Sequence, residues 1–241
     1  MIISLENRAK LAILYAGGVW GLFWIPLRAL EDVGLHGLWV TVVYFIVPTL
    51  CLVPIAFWRW KHFRAGGFQL QITAMVSGGA LLLYSTSIVY TDVVRAMLLF
   101  YLTPIWGTIF ARIFLSENIT PMRILTIVIA ILGMLTIFGL GVRFPMPKNA
   151  GDWMGIGSGI LWAIAMVRLR LDQDTSSIDM TLGFFFWSLV FAIFIAVILA
   201  PSYVPSVAQT LPAMPLLLIF MALLILFIAR IIFFVRVFIR I

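Results

Sequence analysis

Residues 37–58 read GLWVTVVYFIVPTLCLVPIAFW, and none of them is charged. As a helix, such a stretch reaches about 30 Å, the thickness of a bilayer's hydrocarbon core. It reads as a membrane span, and the chain around it repeats the pattern. Apolar blocks broken by charges, Gly or Pro occupy roughly 11–29, 37–58, 68–90, 93–115, 121–140, 151–168, 180–200 and 212–229.

Composition points the same way. Of 241 residues, 64% are hydrophobic and only 10% are charged. A soluble domain is roughly 45–50% apolar and about 25% charged, and a fold of this length cannot hide the excess from water. A disordered chain, a disulfide scaffold and a soluble enzyme are excluded. The expected fold class is all-α: a polytopic integral membrane helix bundle of about eight transmembrane helices. Leu11 to Ile25 follows Arg8 and Lys10 like the front of a signal peptide. No small-x-small cleavage site follows it, so it is read as an uncleaved first helix.

The net charge of +7 is not a nucleic-acid signature, because the basic residues stand singly between apolar blocks. They orient the helices instead. With the N-terminus cytoplasmic, the inner segments carry Arg8, Lys10, Arg59, Lys61, Arg64, Arg112, Arg123, Arg168, Arg170, Arg230, Arg236 and Arg240. The outer ones carry Arg28, Arg95, Arg143 and Lys148. Twelve against four supports an N-in, C-in topology, in the cell inner membrane if the source is bacterial. Trp58, Trp60 and Trp153 at span ends suit interfacial anchoring. The single Cys51 lies inside an apolar run, where a packing role is expected.

Shifting the chain by 142 residues lays the first span on the sixth. Gly17 meets Gly159, Trp20 meets Trp162, Gly21 meets Ala163, Arg28 meets Arg170 and Asp32 meets Asp174. Five spans per copy send the second copy into the membrane from the opposite side, giving the inverted-topology repeat of many secondary transporters. The expected domains are a first five-helix repeat, 1–142, and an incomplete second one, 143–241, with about three helices. The tail at 230–241, RIIFFVRVFIRI, matches nothing in the first copy. It reads as a basic amphipathic end at the cytoplasmic surface, or as an extension of the eighth span.

Residues 90–139 read YTDVVRAMLLFYLTPIWGTIFARIFLSENITPMRILTIVIAILGMLTIFG. An aromatic-rich loop leads to Arg95-Ala96 at the opening of the fourth helix, Pro104 within it and the Leu115-Ser116-Glu117 turn. A glycine-bearing fifth helix follows. With the early GGVWGLFWIPLRALEDVG, this resembles the EamA-type family of the drug/metabolite transporter superfamily, over about residues 11–200. The resemblance implies a five-plus-five helix fold that moves small organic solutes across the inner membrane by alternating access. This chain is expected to depart from it by an apparent C-terminal truncation after about eight helices. The alternative reading is a truncated, non-transporting membrane protein, or a partial subunit that needs another chain.

The residues nominate a site. Trp20 and Trp24, four apart, share a helix face. Tyr84, Tyr101 and Trp162 add aromatic groups within other spans. Together they could line a cavity that stacks apolar or cationic solutes, walled by the first, third, fourth, sixth and eighth helices. Arg28 and Arg95, near the outer ends of their helices, could snorkel or attract a substrate carboxylate. Asp92 stands three residues before Arg95, near enough for a local pair. Pro104, near mid-span, is the candidate hinge or broken segment. Gly17-x-x-x-Gly21, Gly107-x-x-x-Ala111 and Gly155-x-x-x-Gly159-x-x-x-Ala163 place small residues on helix faces that could pack closely. Glu117 is read as structural, beside Arg112 and Arg123 at the start of the fifth helix.

Enzyme chemistry has little support. His36 and His62 fall on opposite sides, and HExxH, GxSxG and phosphate-loop patterns are absent. No metal or other cofactor is expected. The expected partners are a small organic solute, the lipid bilayer and a second copy of the chain in a homodimer; no nucleic acid is expected.

Overall fold

A computed structural model describes residues 14–15, 17–138, 146–172, 175–223 and 225–226. The basic tail at 230–241, the start of the first span and Asp174 lie outside the described residues. Among the described residues, all regular secondary structure is helical: α1 (Trp24–Asp32), α2 (Leu38–Trp58), α3 (Trp60–Ala65), α4 (Gly67–Tyr90), α5 (Val93–Phe100), α6 (Thr103–Leu115), α7 (Pro121–Phe138), α8 (Ala150–Leu171) and α9 (Ser177–Leu199). A further apolar helix, α10, runs over Val207–Leu223. Residues 17–21 form a helical turn ahead of α1.

Among the described residues, five spans are long and apolar enough to cross a bilayer: α2, α4, α5 with α6 as one unit, α8 and α9. Helices α7 and α10 are shorter. The bundle turns large apolar side chains outward, among them Leu50, Phe57, Ile129, Leu132 and Phe194. That surface suits lipid; in water it would be an aggregation site. Trp58, Trp60 and Trp153 are exposed at helix ends, as interfacial anchors would be. Cys51, expected to pack, faces outward from α2, since the buried stripe of that helix runs through Tyr44, Val47, Pro48 and Leu52 instead.

Helix starts follow local chemistry. Asp92 accepts from the N–H groups of Val94 and Arg95, Asn149 from Asp152, and Ser176 from Ile178. Each satisfies a donor that the first helical turn leaves unpaired. Thr120 does the same for Arg123 ahead of Pro121.

Helix α4 is the hub. It packs along α8 and α9 and touches α1, α2 and α5, while α2 also runs against α9 and α6 against α8. Glycines allow these approaches. A Cβ on Gly159 would sit 3.0 Å from the Phe100 carbonyl oxygen and the Thr103 hydroxyl, and one on Gly155 would sit 3.0 Å from the Ser87 hydroxyl. With Gly151 against Tyr90 and Thr91, the small face of α8 forms a continuous seam with α4 to α6. The other two small-residue faces differ from expectation. Nothing among the described residues comes within 4 Å of a Cβ built on Gly17, Gly21 or Gly107. The same pattern forms a seam only where a neighbouring helix covers it.

Charged groups gather at the two ends of the bundle. At one end, Arg95 pairs with Asp152 at 2.6 Å and Arg28 with Glu31 at 2.7 Å. At the other, Arg59 grips Asp179 with two 2.7 Å hydrogen bonds, and Glu117 is shared by Arg123 and Arg170. Arg112 turns instead to the Glu117 carbonyl and Asn118.

Candidate functional site

Aromatic rings from seven elements meet between these charged ends. Trp20, in the turn before α1, stacks on Tyr84 of α4 at 5.0 Å and packs against Phe100 at 5.5 Å and Trp162 of α8 at 6.0 Å. Phe23 bridges Tyr44 of α2 and Tyr84, at 5.1 and 5.2 Å. Tyr84 also lies 4.8 Å from Phe100, and Trp162 meets Phe184 of α9 at 6.1 Å. Phe220 of α10 closes the cluster beside Phe23 and Tyr44.

Three hydroxyls in this region have no hydrogen-bond partner: those of Tyr44, Tyr84 and Ser87. Their residues are 0%, 1% and 0% exposed. A buried hydroxyl without a partner costs about 1–3 kcal/mol, so such groups are rare in folded proteins and call for an explanation. Ser87 contrasts with Ser77 and Ser85 on the same helix, whose hydroxyls donate to carbonyls one turn back. The indole N–H of Trp106 on α6 is likewise unpartnered.

The fourth span breaks beside the cluster. Its helix stops at Phe100, turns through Tyr101 and Leu102, and restarts at Thr103 with Pro104 in the first turn. Pro104 has no N–H for the Phe100 carbonyl, and the Thr103 hydroxyl takes that acceptor instead. The interruption thus falls where Pro104 placed it. A cleft of about 430 Å³ opens at the break. It runs from Phe100, Tyr101 and Trp162 past Thr108 and Met166 to Arg123.

The nominated residues divide. Trp20, Tyr84 and Trp162 come together in the cluster. Tyr101 stands at its edge, half-exposed, 6.0 Å from Phe100 and in the cleft wall. Trp24 lies outside, 37% exposed, because the turn at Leu22–Phe23 interrupts the helical spacing that would align it with Trp20. Arg95 is engaged by Asp152 and by the Met146 carbonyl at 2.6 Å, whereas Asp92 is spent on the helix cap. Asp152, fully buried, also accepts from the Thr91 hydroxyl and the Lys148 N–H. Arg28 reaches the Ile88 carbonyl as well as Glu31.

Sequence reading missed Phe23, Tyr44, Ser87, Phe100 and Asp152. Tyr44 is the one phenol in the charge-free run 37–58, and Ser87 follows Tyr84 by three residues on one face. Among the described residues, no group of three His, Cys, Asp or Glu could hold a metal ion.

An all-helical bundle with five candidate spans among the described residues, charge at its ends and an aromatic, hydroxyl-bearing interior defines a polytopic membrane protein. Residues 7–139 match the EamA-like transporter family, and the chain belongs to that family. No curated protein matches it. A solved structure titled "Crystal structure of protein" shares the fold, with a TM-score of 0.58 at 15% identity. The alignment covers 92% of this chain and 79% of that one.

Proposed function

We propose that the chain carries a small organic solute across the inner membrane by alternating access, around a site built by Trp20, Tyr84, Phe100 and Trp162. The observation that carries this reading is the pair of buried, unpartnered hydroxyls of Tyr44 and Tyr84 inside an aromatic cluster, beside a broken span, with that of Ser87 one turn further along α4. Stacking faces and idle hydroxyls are what a solute site offers before it is filled. Discontinuous helices at mid-membrane are a recurring feature of transporter sites.

The cleft supports access from the Arg123 end, the cytoplasmic end by the basic-residue count. At the opposite end, the Arg95–Asp152 pair bars the way. Two repeats, 1–142 and 143–241, rock against each other in this mechanism. The meeting of Trp20 with its repeat partner Trp162 supports that pairing, as does the α2–α9 contact between the second spans of each copy. Arg95 acts as an end latch in this scheme, and Pro104 supplies the break about which α6 tilts. A second copy is the candidate partner in the bilayer. Family membership implies transport in place of enzymatic turnover.

The test is flux into proteoliposomes holding the purified chain, against a panel of metabolites. Uptake or efflux of at least one solute, abolished by Trp20→Ala in correctly folded protein, is the expected result. Flux that is indifferent to Trp20, Tyr84 and Trp162 substitutions would remove the site.

A further inference from the structure

We infer that the solute taken by this site is uncharged, with a planar or apolar body and a hydrogen-bonding group that engages the hydroxyls of Tyr44, Tyr84 and Ser87. This rests on the site reading above and adds a substrate class to it. The first argument is the charge map. Every charged residue among those described falls at or near a helix end, and the strongest pairs, Arg59–Asp179 and Arg95–Asp152, are closed between chain groups. Arg123, which lines the same cleft as Phe100 and Trp162, is already paired with Glu117 at 3.1 Å. An ion moved among the rings would lose its hydration, and the charge in that cleft is already neutralised by a partner. Ring faces return part of that loss to a cation through their quadrupoles and nothing to an anion. A neutral solute avoids the loss altogether.

The second argument is the polar inventory. Tyr44, Tyr84 and Ser87 are all more than nine-tenths buried and unpartnered, and each hydroxyl can donate or accept. Tyr84 and Ser87 lie three apart on α4, and Tyr44 is tied to Tyr84 through the shared contact with Phe23. A carboxamide, a lactam or an alcohol supplies the matching donors and acceptors. The stacked Trp20–Tyr84 pair and Trp162 supply flat faces for the rest of the molecule.

The test uses three probes of one size and shape that differ in charge: benzamide, benzoate and benzamidinium. Binding to the full chain in lipid nanodiscs is measured by calorimetry. Benzamide is expected to bind at least tenfold more tightly than either ion. Tyr84→Phe and Ser87→Ala are each expected to weaken benzamide roughly 2- to 10-fold, the loss of one hydrogen bond, while the unliganded fold is kept. Tighter binding of benzoate or benzamidinium, still lost in Trp20→Ala, overturns the substrate class and leaves the site in place. Binding of all three that survives Trp20→Ala overturns the site itself. Benzamide affinity unmoved by Tyr44→Phe, Tyr84→Phe and Ser87→Ala would mean that the hydroxyls serve water alone, and no binding of any probe at millimolar concentration also sinks the proposal.

Discussion

Replacing Asp152 by Asn separates a buried ion pair from a surface pair that looks equivalent in sequence. The Asp152 side chain is fully buried and that of Arg95 is 15% exposed. The carboxylate accepts from Arg95 Nε at 2.6 Å, the Lys148 N–H at 2.7 Å and the Thr91 hydroxyl at 2.8 Å. Asp152→Asn keeps the shape and removes the charge, leaving the guanidinium in a poorly hydrated place. Breaking a buried pair in this way costs about 3–5 kcal/mol. Some access of Arg95 to water puts the expected value near the lower figure. The comparison is Glu117→Gln, where Glu117 and Arg170 are 37% and 41% exposed. Exposed pairs contribute about 0–1 kcal/mol and weaken in salt. Unfolding in mixed micelles at low and high salt is the assay. Asp152→Asn should cost at least about 2 kcal/mol more than Glu117→Gln and should respond less to salt. Equal losses in the two variants would refute the ranking by burial.

Other expectations follow from close contacts. Gly159→Val should destabilise by about 1–3 kcal/mol, because its Cβ would press on the Phe100 carbonyl and the Thr103 hydroxyl, whereas Gly107→Val, with open space around it, should stay within about 0.5 kcal/mol. Thermal unfolding of the two side by side checks this, and a tolerated Gly159→Val would remove the α8 seam. Arg59→Lys keeps the charge but loses the two-pronged grip on Asp179, so stability should fall although net charge does not change. Pro104→Ala restores an N–H that competes for the Phe100 carbonyl. Transport rate should drop more than solute affinity, and an unchanged rate in proteoliposomes would exclude the break as a moving part.

The outline of this fold lies on the surface of the sequence, because lipid imposes a long-wavelength rule. A span needs about 20 apolar residues, and charges must collect at the ends. That rule places α2, α4, α8 and α9 within a few residues of the blocks read from composition. Pro104 marks the broken span by the same kind of local logic, since a missing N–H is a property of one residue. The aromatic site was legible in part: Trp20, Tyr84 and Trp162 are unusual side chains in mid-span, and they do meet.

What sequence alone determined, then, is the helical membrane class, the spans α2, α4, α8 and α9, the break at Pro104 and the gathering of charge at the bundle ends, all of which depend on neighbours along the chain. Tertiary structure decided the rest. Which of three similar small-residue patterns becomes a seam, which acid claims Arg95, and which hydroxyls are stranded without partners are questions of packing between helices distant in sequence. Asp92 is three residues from Arg95 and Asp152 is fifty-seven away. The bundle brings Asp152 to the guanidinium while the helix start consumes Asp92, and no spacing rule along one chain can report that choice.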